Sequence, residues 1–361
     1  MAWPAPASQR LAMSFYVECA WAHGTPPATA RPVTTVRPRF PSSSPVCRTF
    51  VIRLPHNAAT CGSAYHGGPH SPRSPLNPQR PLPASAQVFH DALGHAGRAW
   101  LAELRAGCAL PPPAGWVPWR TPQQALGWQR PERAALLMNG LADCRLDGDA
   151  LVWDCTTGSS AERSAQLQGF LQNCQAQGLL PGWRHEAFAF WFDGCTEPLM
   201  EQPPLLAVER AGFRFLGLMS HAVHINGFTP EGALWCGRRS ARKATDPGML
   251  DNVTAGGLPA GESPLGCARR ELWEEAGLHW PDEGQVHSAG WVRTRRAEPE
   301  GWHDESLLVL NLTLQATQVP HNQDGEVQEF LCLTAPEVLQ RLQAGEFTRD
   351  AATSLAQGLA L

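Results

Sequence analysis

One run of residues constrains this chain more than any other: GGLPAGESPLGCARRELWEEAGL, over 256–278. It carries both the start and the stop signal of a single helix. Ser263 followed by Pro264 puts a capping side chain ahead of a residue whose missing N–H costs nothing at the first helical position. Gly277 suits the left-handed conformation just past a helix end. The spacing predicts a helix over 264–276, entered from a Gly-rich loop. At 3.6 residues per turn, Leu265, Ala268, Leu272 and Ala276 share a core-facing side. Glu271, Glu274 and Glu275 share an adjacent one. Three carboxylates within one turn repel by a few tenths of a kcal/mol per pair even when solvated. A solvated acidic face is the plain account of such a run. It is weak here, because Arg269 and Arg270 are not placed to neutralise all three acids. A hard divalent cation, Mg²⁺ or Mn²⁺, would turn the repulsion into coordination and leave room for phosphate oxygens.

The fixed points Gly256, Glu262, Arg270, Glu271, Leu272, Glu274, Glu275, Gly277 and Leu278 spell G-x5-E-x7-R-E-U-x-E-E-x-G-U, with U a bulky aliphatic residue. This resembles the Nudix box, with no departure at a fixed position. The resemblance implies an α/β (α+β) fold, a Nudix α/β/α sandwich with a mixed sheet. It also implies metal-dependent hydrolysis of a diphosphate bond in a small-molecule diphosphate. Glu271, Glu274 and Glu275 would be the metal ligands, and Arg270 would orient a Glu by ion pairing. Glu262 would brace the loop. Outside the box, PGWRHEAFAFW at 181–191, HAVHINGF at 221–228, the run at 235–257 and NQDGEVQEF at 322–330 are similar to one Nudix subgroup. That subgroup includes the Nudix portion of fungal thiamine pyrophosphokinases and stand-alone relatives in plants, yeasts and proteobacteria. It implies oxidised or otherwise damaged thiamine diphosphate as substrate, with the monophosphate and phosphate as products.

Other candidates surround the box. Glu326, after Asp324-Gly325, is the first choice for general base or extra metal ligand, followed by Glu329 and Glu305; a solvated acid beside a turn is the alternative. Arg238, Arg239 and Lys243 are candidates to hold the diphosphate, against a purely solubilising role. Lys243 is the sole lysine beside 28 arginines. Gly256 and Gly257 would let backbone approach substrate or bend tightly. His224 and Asn226, in a strand and a turn, are candidates for the organic moiety, with a core histidine and a turn asparagine as the alternatives. Trp235, Trp291 and Trp302 could stack on a ring or simply pack.

Composition bounds the rest. A net charge of −4 gives no basic excess for a nucleic-acid partner. The eleven cysteines form no CxxC pair, which points away from zinc and toward reduced thiols in a cytoplasmic protein. No apolar run reaches membrane-spanning length. Residues 1–85 hold 15 of the 33 prolines, eight arginines and one acid, Glu18, and are expected to be disordered. They loosely fit a transit peptide; translated upstream sequence is the favoured reading, and a chain starting near Ser85 is expected to fold and work. Residues 86–204 read as a smaller N-terminal α+β domain and 205–361 as the Nudix domain. In the second, strands are expected over 213–218, 220–228 with a turn at Asn226-Gly227, 233–239, 286–295, 306–314 and 327–333. A capping box at Thr334 to Glu337 opens a helix, and a last helix covers 350–359. Alternative substrates are ADP-ribose, NADH or another nucleotide; a non-catalytic, ligand-sensing Nudix module is the reading from a different class.

Overall fold

The computed structural model describes residues 81–361, except 157 and 282–284. The disorder expected for 1–85 therefore falls, up to residue 80, outside the described residues. The last residues of that stretch already open a helix, α1 (Ala84–Ala92), which is followed by α2 (Gly94–Ala106). The two helices are separated at Gly94, whose φ of 64° is left-handed and favours glycine.

A first module follows. Its strands β1 (Val117–Arg120), β2 (Ala125–Gln129), β3 (Cys144–Asp147) and β4 (Ala150–Trp153) form a sheet in the order β2-β1-β4-β3. Strands β1 and β2 form an antiparallel hairpin. Helix α3 (Pro131–Gly140) starts on a proline, and α4 (Ser160–Ala176) opens on a Ser159–Glu162 capping box. As its periodicity predicts, α4 buries Leu167, Phe170, Leu171 and Cys174. Strands β5 (Ala187–Phe190) and β6 (Leu206–Glu209) pair antiparallel, and α5 (Ala211–Leu216) closes the module. Residues 213–218 are thus helix and exit, not strand: Gly217 takes a φ of 64° and ends the helix. One buried apolar cluster runs from Val117 to Met219, so β6 and α5 pack with this module and not with the sheet downstream.

The main sheet has seven strands: β7 (Ser220–Phe228), β8 (Leu234–Arg239), β9 (Leu250–Asp251), β10 (Thr254–Gly257), β11 (Val286–Glu298), β12 (Gly301–Thr313) and β13 (Val327–Leu333). The order is β11-β12-β7-β8-β13, with β10 on β7 and β9 on β8. It is mixed, because β12 and β7 run parallel and the other pairs antiparallel. Successive residues of a strand face opposite sides. Val223 and Ile225 of β7 meet α6 (Pro264–Ala276) in one buried cluster. Phe228 meets α1, α2, α7 (Ala335–Gln343) and α8 (Arg349–Gly358) in another, on the opposite face. The result is the α/β/α sandwich expected. The turn expected at Asn226-Gly227 lies instead at Thr229–Gly232, where Gly232 N donates to Thr229 O. Asn-Gly is outvoted because every residue of β7 is buried, and the ladder to β12 runs unbroken to Phe228.

Candidate active site

Helix α6 begins and ends on the signals read from sequence. Ser263 Oγ accepts from Gly266 N at 3.1 Å, and Gly277 takes a φ of 63°. Cys267, Ala268, Leu272 and Ala276 are buried against the sheet, with Leu265 packed at the margin. Burial of Glu275 was not expected, yet only 6% of it is exposed.

The box residues divide into two groups. Arg270 is the hub of the first. Its Nε and Nη2 donate to the two Glu262 oxygens at 3.0 and 2.8 Å, and its Nη1 donates to Glu271 at 2.8 Å and to Glu274 at 2.9 Å. The bracing role of Glu262 and the orienting role of Arg270 thus become one fork-to-fork pair with two further acceptors. Burial, and next the neighbouring Glu275, push the Glu271 carboxyl up to about 7, against the pull of Arg270. Glu275 belongs to the second group. It accepts from Thr254 Oγ1 at 2.7 Å and from Ala255 N at 3.1 Å, both on β10. Lys243 Nζ stands 3.5 Å from its other oxygen and also donates to Glu326. Burial raises the Glu275 carboxyl, against Lys243 and Thr254. For Glu326, burial pushes upward too, but the bonded Lys243 ammonium brings it below the usual carboxylate range. Glu326 is set by its turn: Gly325 takes a φ of 83°, and Glu326 N donates to Asp324 Oδ1.

These groups fit a hard divalent cation. The donors are all carboxylate oxygens, Glu275 is fixed by two bonds to β10, and an ammonium is already drawn between Glu275 and Glu326. The box acids are not drawn together as closely as a group elsewhere among the described residues, His303, Glu305 and Asp350, whose ligating atoms lie within 4.8 Å of one another. Arg296 occupies it, with Nη1 and Nη2 at 2.8 and 3.0 Å from the two Asp350 oxygens. Glu305 sits there, bonded to Ser220 Oγ at 2.8 Å, and not among the box residues.

Several of the other candidate residues are engaged within the protein. His224 and Asn226 lie on the side of the sheet facing α8, not α6. His224 Nδ1 donates to Asn252 Oδ1 at 2.7 Å; Asn226 accepts from Asn252 Nδ2 at 2.7 Å and donates to Asn311 Oδ1 at 3.0 Å. Both are buried and bonded within the protein, where they tie strands to α8. Arg238 is bound to Glu329 at 2.6 Å and to Gly248 O; Arg239 is bound to Asp251 at 2.8 Å and to Thr245 O. Each guanidinium thus has an acidic partner within the protein. The room at Gly256 and Gly257 is taken by the protein itself. A Cβ on Gly256 would stand 2.2 Å from Glu271 Cδ, and one on Gly257 would stand 2.4 Å from Phe188 Cζ. Trp302 is core, packed edge-on against Trp116.

Phe188 belongs to β5 of the first module, and sequence reasoning gave it no role. The module docks beside the box loop: Ala260 N donates to Ala187 O at 2.8 Å, and Phe188 bridges Pro259. His221, between Trp191 and Trp291, donates from Nε2 to Cys195 O at 2.7 Å. The signal was the run at 181–191, which stands out in the sequence but carries no chemistry of its own.

The profile of the NUDIX domain family matches residues 220–355. Nudix hydrolase 24, chloroplastic, of Arabidopsis thaliana is 30% identical over 192 residues, covering 52% of this chain and 51% of the plant protein. Nudix hydrolase 20, chloroplastic, from the same plant is 29% identical over 212 residues, covering 58% and 55%. An uncharacterized protein of Saccharomyces cerevisiae is 30% identical over 188 residues, covering 47% and 53%. The chain therefore spans about half the length of these relatives. Motif, sandwich and profile coincide on one stretch of sequence, and the chain carries a Nudix domain over residues 220–355.

Proposed function

We propose that this chain is a divalent-metal-dependent Nudix hydrolase that cleaves the diphosphate bond of a small organic diphosphate. The observation that carries this reading is the buried carboxylate of Glu275, fixed by Thr254 and Ala255 and held beside the Arg270-braced pair Glu271 and Glu274. Burying a carboxylate without a cation is costly, so a protein that buries Glu275 and most of Glu271 beside the exposed Glu274, within one helical turn, has a use for positive charge there. Glu271, Glu274 and Glu275 would hold Mg²⁺ or Mn²⁺, with Glu326 as a further ligand or as general base. When bound, the metal supplies charge neutralisation on the diphosphate oxygens and a Lewis acid for the reaction.

The chain's own residues do the positioning. Arg270 keeps Glu271 and Glu274 from swinging outward, and Glu262 holds Arg270 in turn. The Lys243 ammonium that donates to Glu326 holds it ionised and lowers its basicity, which favours the ligand role over that of general base. Lys243 is placed to shift between these acids and an incoming phosphate.

For the substrate, the reading is oxidised or otherwise damaged thiamine diphosphate, converted to the monophosphate and phosphate. Its support is the likeness of the outer motifs, together with alignments to plant and yeast proteins that extend beyond 220–355. The test is phosphate release with Mg²⁺ or Mn²⁺ from thiamine diphosphate, oxothiamine diphosphate, ADP-ribose and NADH, adding phosphatase where the product is a phosphomonoester. Preference for the thiamine compounds supports the full reading. Preference for ADP-ribose or NADH keeps the chemistry and replaces the substrate. No turnover on any of them, with Mn²⁺ still bound, favours a ligand-sensing module.

A further inference from the structure

We propose that the groove between α4 and the β5–β6 pair of the first module binds a small aromatic cation, with Glu209 taking the positive charge and Trp183 the ring. The inference goes beyond the hydrolase reading and stands without it.

The groove encloses about 570 Å³, a volume in the range of small-molecule sites. Ala187 and Glu209 pair across the two strands, and Ala207 lies on the same face, so two of the three side chains there are small and leave room. Helix α4 forms one wall and the segment 183–186 another. The edge of β6 is not open to a further strand. Its outward N–H groups at Ala207 and Glu209 donate to Ser164 Oγ and Gln168 Oε1, both at 2.9 Å. A peptide adding to the sheet would find those donors taken, so the space suits a compact molecule. The groove also stands one strand from the box: Ala187 lines it, and the Ala187 carbonyl accepts from Ala260 N of the box loop.

Charge selects the class of occupant. Glu209 lines the groove although only 3% of it is exposed. Its Oε1 accepts from Arg184 N at 3.0 Å and from Ala211 N at 3.3 Å. Those bonds fix the carboxylate without neutralising it, and no arginine or lysine side chain pairs with it among the described residues. No arginine or lysine lines the groove at all. Its other acid, Glu186, is bound by Arg210 at 2.6 Å, so Glu209 is the charge left uncompensated. A carboxylate this buried is costly unless its second oxygen also meets a partner, and a cationic donor is the strongest one. Trp183 supplies the other contact. Its Nε1 donates to His185 Nδ1 at 3.3 Å, and the two rings meet edge-on with centroids 6.3 Å apart, which fixes the indole at the groove. A tryptophan beside a buried carboxylate recognises an organic cation by ring quadrupole and by charge together.

The test uses the full chain and benzamidine as probe, titrated calorimetrically, with benzamide and benzoate as its neutral and anionic counterparts of like shape. Benzamidine should bind with a Kd on the order of 1 mM, as a ligand of that size allows. Glu209→Gln keeps an oxygen for the two backbone N–H groups and should weaken binding at least about tenfold. Trp183→Leu should also weaken it, and serves as the second variant if the first does not fold by urea unfolding. Benzamide should bind far more weakly and benzoate not at all. Glu275→Gln, at the box, should leave benzamidine affinity within about twofold of wild type, which separates the groove from the metal-facing acids and from the fate of the hydrolase reading. No binding of benzamidine by wild type, equal binding of benzamide, or wild-type affinity in Glu209→Gln would overturn the proposal. So would affinity lost in Glu275→Gln and kept in Glu209→Gln, since that result puts the cation among the box acids.

Discussion

Replacing Gly256 with alanine should disable the site while leaving the fold intact. The added Cβ would stand 2.2 Å from Glu271 Cδ and 2.3 Å from its Oε1. Non-bonded carbons settle near 3.5–4.0 Å, so the carboxylate must move by more than an ångström. It can move, since it ends a flexible side chain. In moving it gives up the 2.8 Å bond to Arg270 and leaves the metal-facing cluster. Loss of even a residue that supports a metal ligand costs roughly 10–100-fold in affinity, so displacing a ligand should cost at least about 100-fold, or ~2.8 kcal/mol. The metal-free fold should be nearly unchanged, within about 1 kcal/mol, because the burial that pushes Glu271 up to about 7 opposes its charge in the folded state. The assay is a double-mutant cycle: Mn²⁺ affinity and kcat for wild type, Gly256→Ala, Glu271→Gln and the pair, with denaturant unfolding in chelator. If the two residues act through one contact, the pair is about as defective as either single variant. Multiplying effects, or wild-type Mn²⁺ affinity in Gly256→Ala, would refute the reasoning.

Three further outcomes are expected. Glu275→Gln should lower the rate by roughly 10²–10⁴, about 3–5 kcal/mol of barrier, and near-wild-type turnover by a folded variant would remove Glu275 from the metal set. Asn252→Ala strips the bonds of buried His224, Asn226 and Ser354, so unfolding free energy should fall by about 2–4 kcal/mol while kcat/KM per folded molecule holds; a selective loss of kcat/KM would return His224 or Asn226 to the site. His221 has its pKa lowered by burial to about 4, so the unfolded chain takes up its proton first on acidification. The stability this residue confers is present above about pH 6.5 and lost as pH falls toward 4, by about 2–3 kcal/mol between pH 7 and 4.5. Comparison of wild type with His221→Asn by urea unfolding at both pH values should show that difference, and parallel losses would refute it.

What was legible in the sequence was what local chemistry decides. Ser263, Pro264 and Gly277 bound α6 within four residues of themselves, and the Thr334–Glu337 capping box opens α7 in the same way. The box acids and Arg270 were legible for a related reason, since one helical turn brings Arg270 to Glu271 and Glu274. The failures are decisions made at long range. Asn226-Gly227 is a turn signal on its own, but a strand buried along its whole length and paired to β12 overrides it. Residues 213–218 are apolar enough for either helix or strand, and Gly217 settles the matter only once packed against the Trp128 backbone. Arg238 and Arg239 read as phosphate ligands until β13 and β9 bring Glu329 and Asp251 beside them. Which acid claims an arginine is tertiary information.

The two glycines that end β10 show how the modules come to share one site. Neighbouring residues of a strand face opposite sides, so Gly256 and Gly257 open space in opposite directions. Gly256 admits the Glu271 carboxylate from α6, and Gly257 admits the Phe188 ring from β5. A side chain at the first position would push out a box acid; one at the second would push off the first module. The same two-residue step therefore fixes Glu271 and seats Phe188, over which Arg210 lies. Motif reading gives these glycines to the substrate's backbone approach. Packing gives them to the protein, and the consequence is that the loop of the Nudix box and the first module cannot shift independently.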